Sequence, residues 1–274
     1  MRAHLPKKVK IYAPLHAQFH LVVYSTPPMT FSAPRFYCPL PLVPGIEIAL
    51  PEAAAHHAVR VLRLHEGDAI TLFNGAGGEY TAAIHSIGKN AVVVTPASHH
   101  PVERESGLKV TLVQALASGE KMDWMIQKAV ELGATRIQPV ATRRCVLRLD
   151  TERAVKRVAH WQSVVVSACE QSGRNRVPAV LAVCDLTQAL AAAQHTFKIA
   201  LTPGQGSALN KLEAPSQPLT LFVGPEGGFD ADEINAMRHR QCCFVTLGPR
   251  VLRTETAGAA ALAAMQTLWG DWKD

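Results

Sequence analysis

The sequence predicts an α/β protein with two domains, a small β-barrel followed by a larger α/β domain. Three observations lead to this prediction. The chain has 274 residues, whereas a single domain most often has about 100 to 150. Near Ser106, short β-rich runs between glycine turns give way to strand-like runs that alternate with helical ones. Finally, 48% of the residues are hydrophobic and 18% are charged, which argues against intrinsic disorder.

The first 28 residues differ in composition from the rest of the chain. They hold four basic side chains and no acidic one, and two prolines directly precede Met29. The continuous apolar centre of a secretory signal is missing. We expect residues 1–28 to be a non-native or disordered extension, explained by an upstream start codon, with an ordered extension as the alternative. The barrel is then predicted at 29–103 and the α/β domain at 104–274.

The predicted barrel contains one helix and three strands. Residues 52–64 have helical character, and Arg60 and Arg63 stand three positions apart, which predicts that they share one helix face. Strands are predicted at 69–73, 79–84 and 91–95, separated by turns at 74–78 and 88–90. Glycine turns between β-rich runs are typical of hairpins, and these hairpins predict a small barrel.

The α/β domain is predicted from the alternation of strands and helices. We predict strands at 109–113, 136–140, 197–201, 219–223 and 244–247, and helices at 121–132, 152–170, 231–240 and 256–269. This alternation is typical of a mostly parallel sheet covered by helices. Asp230 followed by Glu233 forms a capping-box pattern, which indicates that a helix begins there.

Charge and cysteine content narrow the classes of protein. The net charge is +6, and residues 136–176 alone hold nine basic and three acidic side chains. A polyanion is expected to meet this segment first, although a solvated helix face has a similar composition.

The six cysteines show no metal-ligand spacing, so no metal is predicted. No run approaches the roughly 18 apolar residues of a membrane span, and we expect a soluble cytoplasmic protein.

Three loops after predicted strands form the candidate site. In open α/β sheets, ligands bind beyond the carboxyl ends of the strands. The loops that begin at Thr202, Gly224 and Gly248 each combine glycine with proline. Glycine permits close backbone approach and proline fixes φ, so these loops are suited to cradle a flat cofactor. The spacing matches neither a dinucleotide fingerprint nor a Walker loop, which argues against NAD and nucleoside triphosphates.

Five ordered blocks resemble the ribosomal RNA small subunit methyltransferase E family, which belongs to the SPOUT class. The most specific block covers residues 247–257, with the sequence LGPRVLRTETA, and follows GPEGG at 224–228. The other blocks are RVLR at 60–63, GEKMD with IQK and ELG within 119–133, and ACEQSGRNRVP at 168–178. The resemblance extends from about Pro34 to the C-terminus.

The resemblance implies a PUA-like barrel that binds RNA and a SPOUT domain with a trefoil knot around S-adenosyl-L-methionine. The implied activity is methylation of N3 of a uridine in 16S rRNA of the small ribosomal subunit, by a homodimer. Two alternatives stay open. One is a SPOUT RNA 2′-O-methyltransferase, and the other is a catalytically inactive rRNA-binding factor for ribosome assembly.

The matching motifs also indicate site residues. Arg250 and Arg253 are candidates to steady the anion that forms on the uracil, and Glu255 is a candidate base. Alternatively, Glu255 orders the loop and solvent or RNA takes the proton, while Glu226 holds a cofactor ribose or braces the glycine turn. The predicted cofactor contacts are Leu201, Thr202, Val223, Gly224, Pro225, Glu226, Gly227, Gly228, Leu247, Gly248, Leu252, Arg253, Thr254, Thr256 and Ala257.

RNA contacts are predicted for basic side chains in and near these blocks. N3 lies on the Watson–Crick edge, so the target base must be unpaired or flipped. Arg174 and Arg176 flank Asn175 and are the strongest candidates, with a brace of the dimer as the alternative. The full set is Arg60, Arg63, Lys121, Lys128, Arg143, Arg144, Arg174 and Arg176.

Overall fold

The computed structural model describes residues 33–89 and 91–272. The predicted extension at 1–28 and Asn90 of the predicted turn lie outside the described residues. The predicted fold class is confirmed, because a five-stranded sheet precedes an eight-stranded sheet packed with helices. No helix of the described part has the length and hydropathy needed to cross a membrane. The trefoil knot stays a prediction.

The first sheet forms the β-rich part of the molecule. Its strands are β1 (Arg35–Tyr37), β2 (Ile48–Ala49), β3 (Ala69–Phe73), β4 (Glu79–Ile87) and β5 (Val92–His100). They lie in the order β1-β3-β4-β5-β2, with β1 parallel to β3 and the other pairs antiparallel. Phe36, Ile70, Leu72 and Ile84 are buried in an apolar core that belongs to this sheet.

The predicted helix at 52–64 is shorter than expected. Helix α1 spans Glu52–His56 and continues as one π-helical turn over His57–Val61. Arg60 lies in that turn, whereas Arg63 follows it with a φ of 56°, a left-handed conformation that cannot continue a helix. The prediction that Arg60 and Arg63 share a helix face is therefore wrong. The three-residue spacing in the sequence gave no sign of this reversal.

The second sheet is parallel throughout. Its strands are β6 (Val110–Ala115), β7 (Ala134–Ala141), β8 (Ala179–Val180), β9 (Cys184–Asp185), β10 (Phe197–Leu201), β11 (Ser207–Ala208), β12 (Leu219–Val223) and β13 (Cys243–Thr246). The order is β11-β13-β10-β12-β6-β7-β8, and β9 also pairs with β7. The five predicted strands correspond to β6, β7, β10, β12 and β13.

Five further helices surround this sheet. They are α2 (Lys121–Glu131), α3 (Thr151–Ser172), α4 (Leu186–Ala192), α5 (Ala231–His239) and α6 (Thr254–Trp269), and one 3₁₀ turn spans Leu209–Lys211. The capping box predicted from Asp230 and Glu233 is confirmed at the start of α5. Helix α4 was not predicted, although Asp185 and Gln188 form a second capping box at its start.

The core of the α/β domain lies between the sheet and the helices. Helix α2 packs against both α3 and α6. Trp161, Ile126 and Leu221 are almost completely buried there, and this apolar burial is the main stabilising contribution to such a fold. The loops at the carboxyl edge of the sheet are thus held by rigid elements.

Candidate functional site

The three candidate loops meet at one edge of the second sheet. Strands β13, β10 and β12 are consecutive neighbours and all of their pairings are parallel. Leu201, at the end of β10, is in register with Val245 of β13. Because parallel neighbours end on the same side of a sheet, the loops that follow these strands lie next to one another.

These loops line a cavity of about 490 Å³. This volume is typical of small-molecule sites, which range over roughly 300 to 1,000 Å³. Of the residues predicted to bind the cofactor, all except Gly248 and Thr256 line the cavity. Sequence reasoning missed several others, because nothing in their local pattern separates them from other residues of loops and helices. They include Pro203, Gln205, Phe229, Ile234 and Val251.

Glycine shapes the wall of the cavity at two positions. Gly228 has a φ of +67°, a conformation that other residues adopt only with strain. At Gly224, a Cβ atom would lie 3.2 Å from the ring of Phe229. The wall therefore consists of closely approaching backbone as well as apolar side chains. This combination fits a flat ligand with polar edges.

Two buried threonine hydroxyls hold the loops in place. Thr202 Oγ1 donates to the Gln205 carbonyl at 2.7 Å, and Thr254 Oγ1 donates to the Gly224 carbonyl at 2.6 Å. A hydroxyl has one proton to donate, so toward a ligand both threonines are left as acceptors. Their role in this structure is to fix the loop backbone.

Helix α6 begins at the cavity. Thr254, its first residue, lines the cavity, and the Arg253 side chain before it makes no capping hydrogen bond with the described residues. The amides of Thr256 and Ala257 bond to the Arg253 carbonyl. Because a helix N-terminus carries a partial positive charge, this end of the cavity suits an anionic or hydrogen-bond-accepting group.

Lys121 and Arg144 line the cavity from the side of the glycine loop. Lys121 Nζ donates to Glu226 Oε1 at 2.7 Å. That hydrogen bond raises the pKa of Lys121 and lowers the pKa of Glu226. Arg144 donates to the carbonyl of Gly227 at 3.0 Å. Both cations were predicted as RNA contacts, and both also brace the glycine loop.

Arg250 and Arg253 belong to the loop that begins at Gly248. Both line the cavity, and both are exposed. Within the described residues, neither forms an ion pair with a carboxylate. Their charges are therefore available to a ligand or a substrate. Glu255 does not line the cavity, although its Oε2 atom is buried without a hydrogen-bond partner among the described residues. Glu226 is the carboxylate that the fold brings into the cavity wall.

Arg174 does not fit its predicted contact with RNA, because its side chain is buried. The residue is 4% exposed. Its guanidinium pairs with Glu105 and donates to the carbonyls of Val130 and Ala134 at 2.9 and 2.8 Å. These partners lie within the same chain, so in this structure Arg174 closes the end of α2 rather than facing a polyanion.

The other predicted RNA contacts differ in availability. Arg143, Arg176 and Lys128 are engaged in ion pairs with Asp230, Glu103 and Glu131 respectively. Arg60 and Arg63 are exposed, and no ion pair joins either of them to a described carboxylate. Among described residues, no group of three His, Cys, Asp or Glu side chains could hold a metal ion.

Two family models match this chain. Residues 104–266 match the model of an RNA methyltransferase domain. Residues 50–97 match the model of an RNA methyltransferase PUA domain. The first match falls on the parallel sheet and its helices, and the second falls on the five-stranded sheet.

Curated relatives match along most of the chain. The ribosomal RNA small subunit methyltransferase E of Bacillus subtilis is 34% identical over 77% of this chain and 86% of its own. The protein of the same name from Buchnera aphidicola subsp. Schizaphis graminum is 31% identical, and the match covers 87% of this chain and 97% of the relative.

Solved structures resemble the fold over a similar length. The ribosomal RNA small subunit methyltransferase E of Neisseria gonorrhoeae, bound to S-adenosyl methionine, has a TM-score of 0.81 and 42% identity, covering 88% of this chain and 99% of its own. A Legionella pneumophila methyltransferase, in complex with the cofactor SAM, has a TM-score of 0.85 and 38% identity, covering 87% of this chain and 99% of its own.

Proposed function

The chain belongs to the ribosomal RNA small subunit methyltransferase E family, and we propose that it methylates N3 of one uridine in 16S rRNA with S-adenosylmethionine as methyl donor. The observation that carries this proposal is the cavity itself. It is lined by the three family loops and includes Arg250 and Arg253, neither of which forms an ion pair with a described residue. Relatives with this fold bind the same cofactor.

The residues of the cavity fit the cofactor. Leu247, Leu252 and Ala257 supply apolar contacts for the adenine, and the glycine loop at 224–228 supplies closely approaching backbone. The N-terminus of α6 suits the carboxylate of the methionine part. When bound, S-adenosylmethionine supplies a methyl group that is activated by the positive charge of the sulfonium.

We also propose that the boundary between the barrel and the α/β domain lies near residue 103.

Methylation at uridine N3 requires that the N3 proton leave as the new bond to carbon forms. The charge that develops on N3 spreads to O2 and O4, so cations placed beside those oxygens lower the barrier. Arg250 and Arg253 are suited to this role because arginine is a permanent cation and because neither has a carboxylate partner in the described part of the chain.

Glu255 is the carboxylate we propose as the base. Glu226 is the weaker candidate because the hydrogen bond from Lys121 lowers its pKa. Glu255 has a buried Oε2 atom that makes no hydrogen bond with the described residues. Along the chain it directly follows Thr254, the first residue of α6, which lines the cavity.

The RNA surface we propose combines Arg60 and Arg63 on the β-rich domain with Arg144 at the cavity. We expect Arg60→Ala with Arg63→Ala to weaken rRNA binding and to flatten its salt dependence, because each lost phosphate contact removes about 0.7 to 0.9 from the logarithmic slope. Binding titrations at several salt concentrations measure this slope. Lys211→Ala, an exposed cation in the 3₁₀ turn, is the control. An unchanged slope in the double variant contradicts this surface.

The decisive test is nucleoside mass spectrometry of rRNA. In a strain that lacks the gene, we expect 3-methyluridine to be absent from 16S rRNA. Addition of purified protein and S-adenosylmethionine to small subunits from that strain is expected to restore it. If 3-methyluridine is present in the deletion strain, the proposed function is wrong.

The same experiment separates the two alternatives. A 2′-O-methyltransferase produces a ribose-methylated nucleoside of equal mass, which chromatography and fragmentation distinguish from 3-methyluridine. An inactive assembly factor restores neither nucleoside. Calorimetry with S-adenosylmethionine gives an independent answer, since a folded protein without affinity for the cofactor favours the assembly factor.

We also propose that the protein works as a homodimer in the cytoplasm. Val251 beside the cavity is 79% exposed and Trp272 is 53% exposed. Contiguous exposed apolar patches often mark protein–protein contacts, and we propose that the dimer interface covers these two side chains. Light scattering is expected to give about twice the chain mass of 29.6 kDa, and a mass equal to one chain contradicts the dimer.

A further inference from the structure

A buried glutamine lies directly beneath the cofactor loops. Gln114 is near the end of β6 and is completely buried. Its backbone is in register with Val223, the last residue of β12. The glycine loop begins at the next residue, Gly224. Gln114 is not itself part of the cavity lining.

The side chain of Gln114 connects two of those loops. Its Nε2 atom donates to the carbonyl of Ala115 at 3.1 Å and to Thr254 Oγ1 at 3.0 Å. Thr254 Oγ1 in turn donates to the carbonyl of Gly224 at 2.6 Å. The chain of hydrogen bonds therefore runs from β6, through the start of α6, to the start of the glycine loop.

Hydrogen-bond chemistry determines the orientation of this amide. The carbonyl of Ala115 can only accept, so the group that faces it must be the NH₂ of Gln114. The hydroxyl proton of Thr254 is committed to Gly224, so Thr254 is an acceptor toward Gln114. Each group in this series of hydrogen bonds therefore has a fixed direction of donation. An apolar side chain at position 114 would leave the Thr254 oxygen without its donor.

Helix α6 passes close to the amide on its other side. Gly258 lies inside α6, where glycine is unfavourable compared with alanine. A Cβ atom at this position would lie 3.4 Å from Gln114 Oε1 and 3.7 Å from a methyl group of Val223. Among the described residues, Oε1 has no hydrogen-bond partner. A methyl group at position 258 would therefore be in ordinary van der Waals contact with the Gln114 amide.

We propose that Gln114 is a positioning residue for S-adenosylmethionine: through Thr254 it fixes the two loops that line the cofactor cavity. This inference rests on the proposed function. Gln114 acts by keeping the start of α6 and the Gly224 carbonyl in the arrangement that the ligand meets, and it does not touch the ligand itself.

Gln138 is a matched control for Gln114. It is also buried, and its Nε2 atom likewise donates to the carbonyl of the next residue, Pro139, at 2.9 Å. Its second bond goes to the carbonyl of Ala182 at 2.7 Å, which does not line the cavity. Gln138→Met therefore removes a comparable pair of hydrogen bonds without disturbing the cofactor loops.

The test compares Gln114→Met with Gln138→Met by calorimetry with S-adenosylmethionine, well below the Tm of each variant. We expect Gln114→Met to raise the Kd about 3- to 10-fold, the effect of one neutral hydrogen bond, and Gln138→Met to stay within about twofold of wild type. Both variants are expected to lower the Tm. A wild-type Kd in Gln114→Met, or an equal loss in Gln138→Met, overturns the inference.

Thr254→Val tests the same series of hydrogen bonds at its middle member. Valine has no hydroxyl group, so this variant loses both the bond from Gln114 Nε2 and the bond to the Gly224 carbonyl. We expect the Kd for S-adenosylmethionine to rise by at least as much as in Gln114→Met. If Gln114→Met does not fold, an unchanged Kd in Thr254→Val overturns the inference. If wild type itself fails to bind the cofactor, the proposed function fails instead.

Discussion

At the scale of single residues, Arg250 and Arg253 differ from several other predicted site arginines because neither forms an ion pair with a described residue. Arg143, Arg174 and Arg176 each pair with a carboxylate. Arg250 and Arg253 line the cavity without an ion pair to any described residue. An unpaired cation beside a cavity is available to a developing negative charge, whereas a paired one is already neutralised.

Arg250→Ala tests this difference. We expect the methylation rate to fall about 100-fold or more, the usual cost of removing one group that stabilises a transition-state anion. The Kd for S-adenosylmethionine is expected to change less than the rate. Arg240→Ala, an exposed arginine outside the cavity lining, is the control. A full methylation rate in Arg250→Ala removes Arg250 from the chemistry.

A second prediction distinguishes the proposed roles of Glu255 and Glu226. Glu255→Gln is expected to lower kcat about 100-fold and to abolish the acid limb of the pH–rate profile, because a general base must be deprotonated to act. Glu226→Gln is expected to change the KM for the cofactor more than kcat, since Glu226 lines the cavity and pairs with Lys121. An unaltered pH–rate profile in Glu255→Gln assigns the proton to solvent or RNA.

At the scale of elements, the start of α5 ties two loops together. Glu233 is 7% exposed and accepts hydrogen bonds from the backbone amides of Asp230 and Arg143 at 2.9 and 2.8 Å. The neighbouring Arg144 donates to the carbonyl of Gly227. The capping box thus stabilises the helix and also holds the loop at 142–148 against the glycine loop.

Glu233→Ala leaves two partly buried backbone amides without their acceptor. The expected loss of stability is about 1 to 3 kcal/mol, or a decrease in Tm of roughly 3 to 10 °C for a protein of this size. Thermal unfolding with and without S-adenosylmethionine measures both stability and cofactor binding. Glu233→Gln keeps one oxygen acceptor and is expected to lie between alanine and wild type. Equal Tm values for Glu233→Ala and wild type contradict this role.

The elements were predicted well where the signal is local. Hydrophobic period and capping pattern place α5 within one residue of its observed limits, because both depend on neighbours within two helical turns. Helix α1 was predicted too long because its π-helical turn and the reversal at Arg63 have no signature in spacing. The prediction that Arg60 and Arg63 share one helix face was consequently wrong.

At the scale of the whole molecule, the two sheets are joined by a polar network. Arg35 of β1 donates to Glu79 of β4 at 2.6 Å and to Asn175 at 2.6 Å. Arg104 donates to Glu79 at 2.9 Å and to the carbonyl of Gly173 at 3.0 Å. The motif that contains Arg174 therefore braces the β-rich domain against the end of α3.

Glu79 is the centre of this network. Burial by itself would raise its pKa, but the hydrogen bonds and charges of Arg104 and Arg35 outweigh burial and lower the pKa from 4.5 to about 2. A pKa depressed in the folded state stabilises the fold fully above the unfolded value and loses that contribution as the pH falls toward the folded value. The stabilisation is thus complete above pH 4.5 and declines toward pH 2.

Glu79→Gln tests the sign of this effect. At neutral pH we expect a loss of about 2 to 3 kcal/mol, or roughly 5 to 10 °C in Tm. The difference from wild type is expected to narrow as the pH falls from about 4.5 toward about 2. Glu103→Gln breaks the exposed pair with Arg176 and should change stability by less than about 1 kcal/mol. A gap in Tm that is independent of pH contradicts the ion-pair explanation.

The sequence by itself determined the fold class, the order of the domains and the loops that line the cavity. These properties follow from local hydrophobic period, from turn residues and from motifs in which the functional groups are neighbours along the chain. The tertiary structure alone decided the burial and the partners of Arg174 and Gln114, because Glu105 and Thr254 lie 69 and 140 positions away along the chain. Burial and pairing depend on such distant partners, and no local pattern records them.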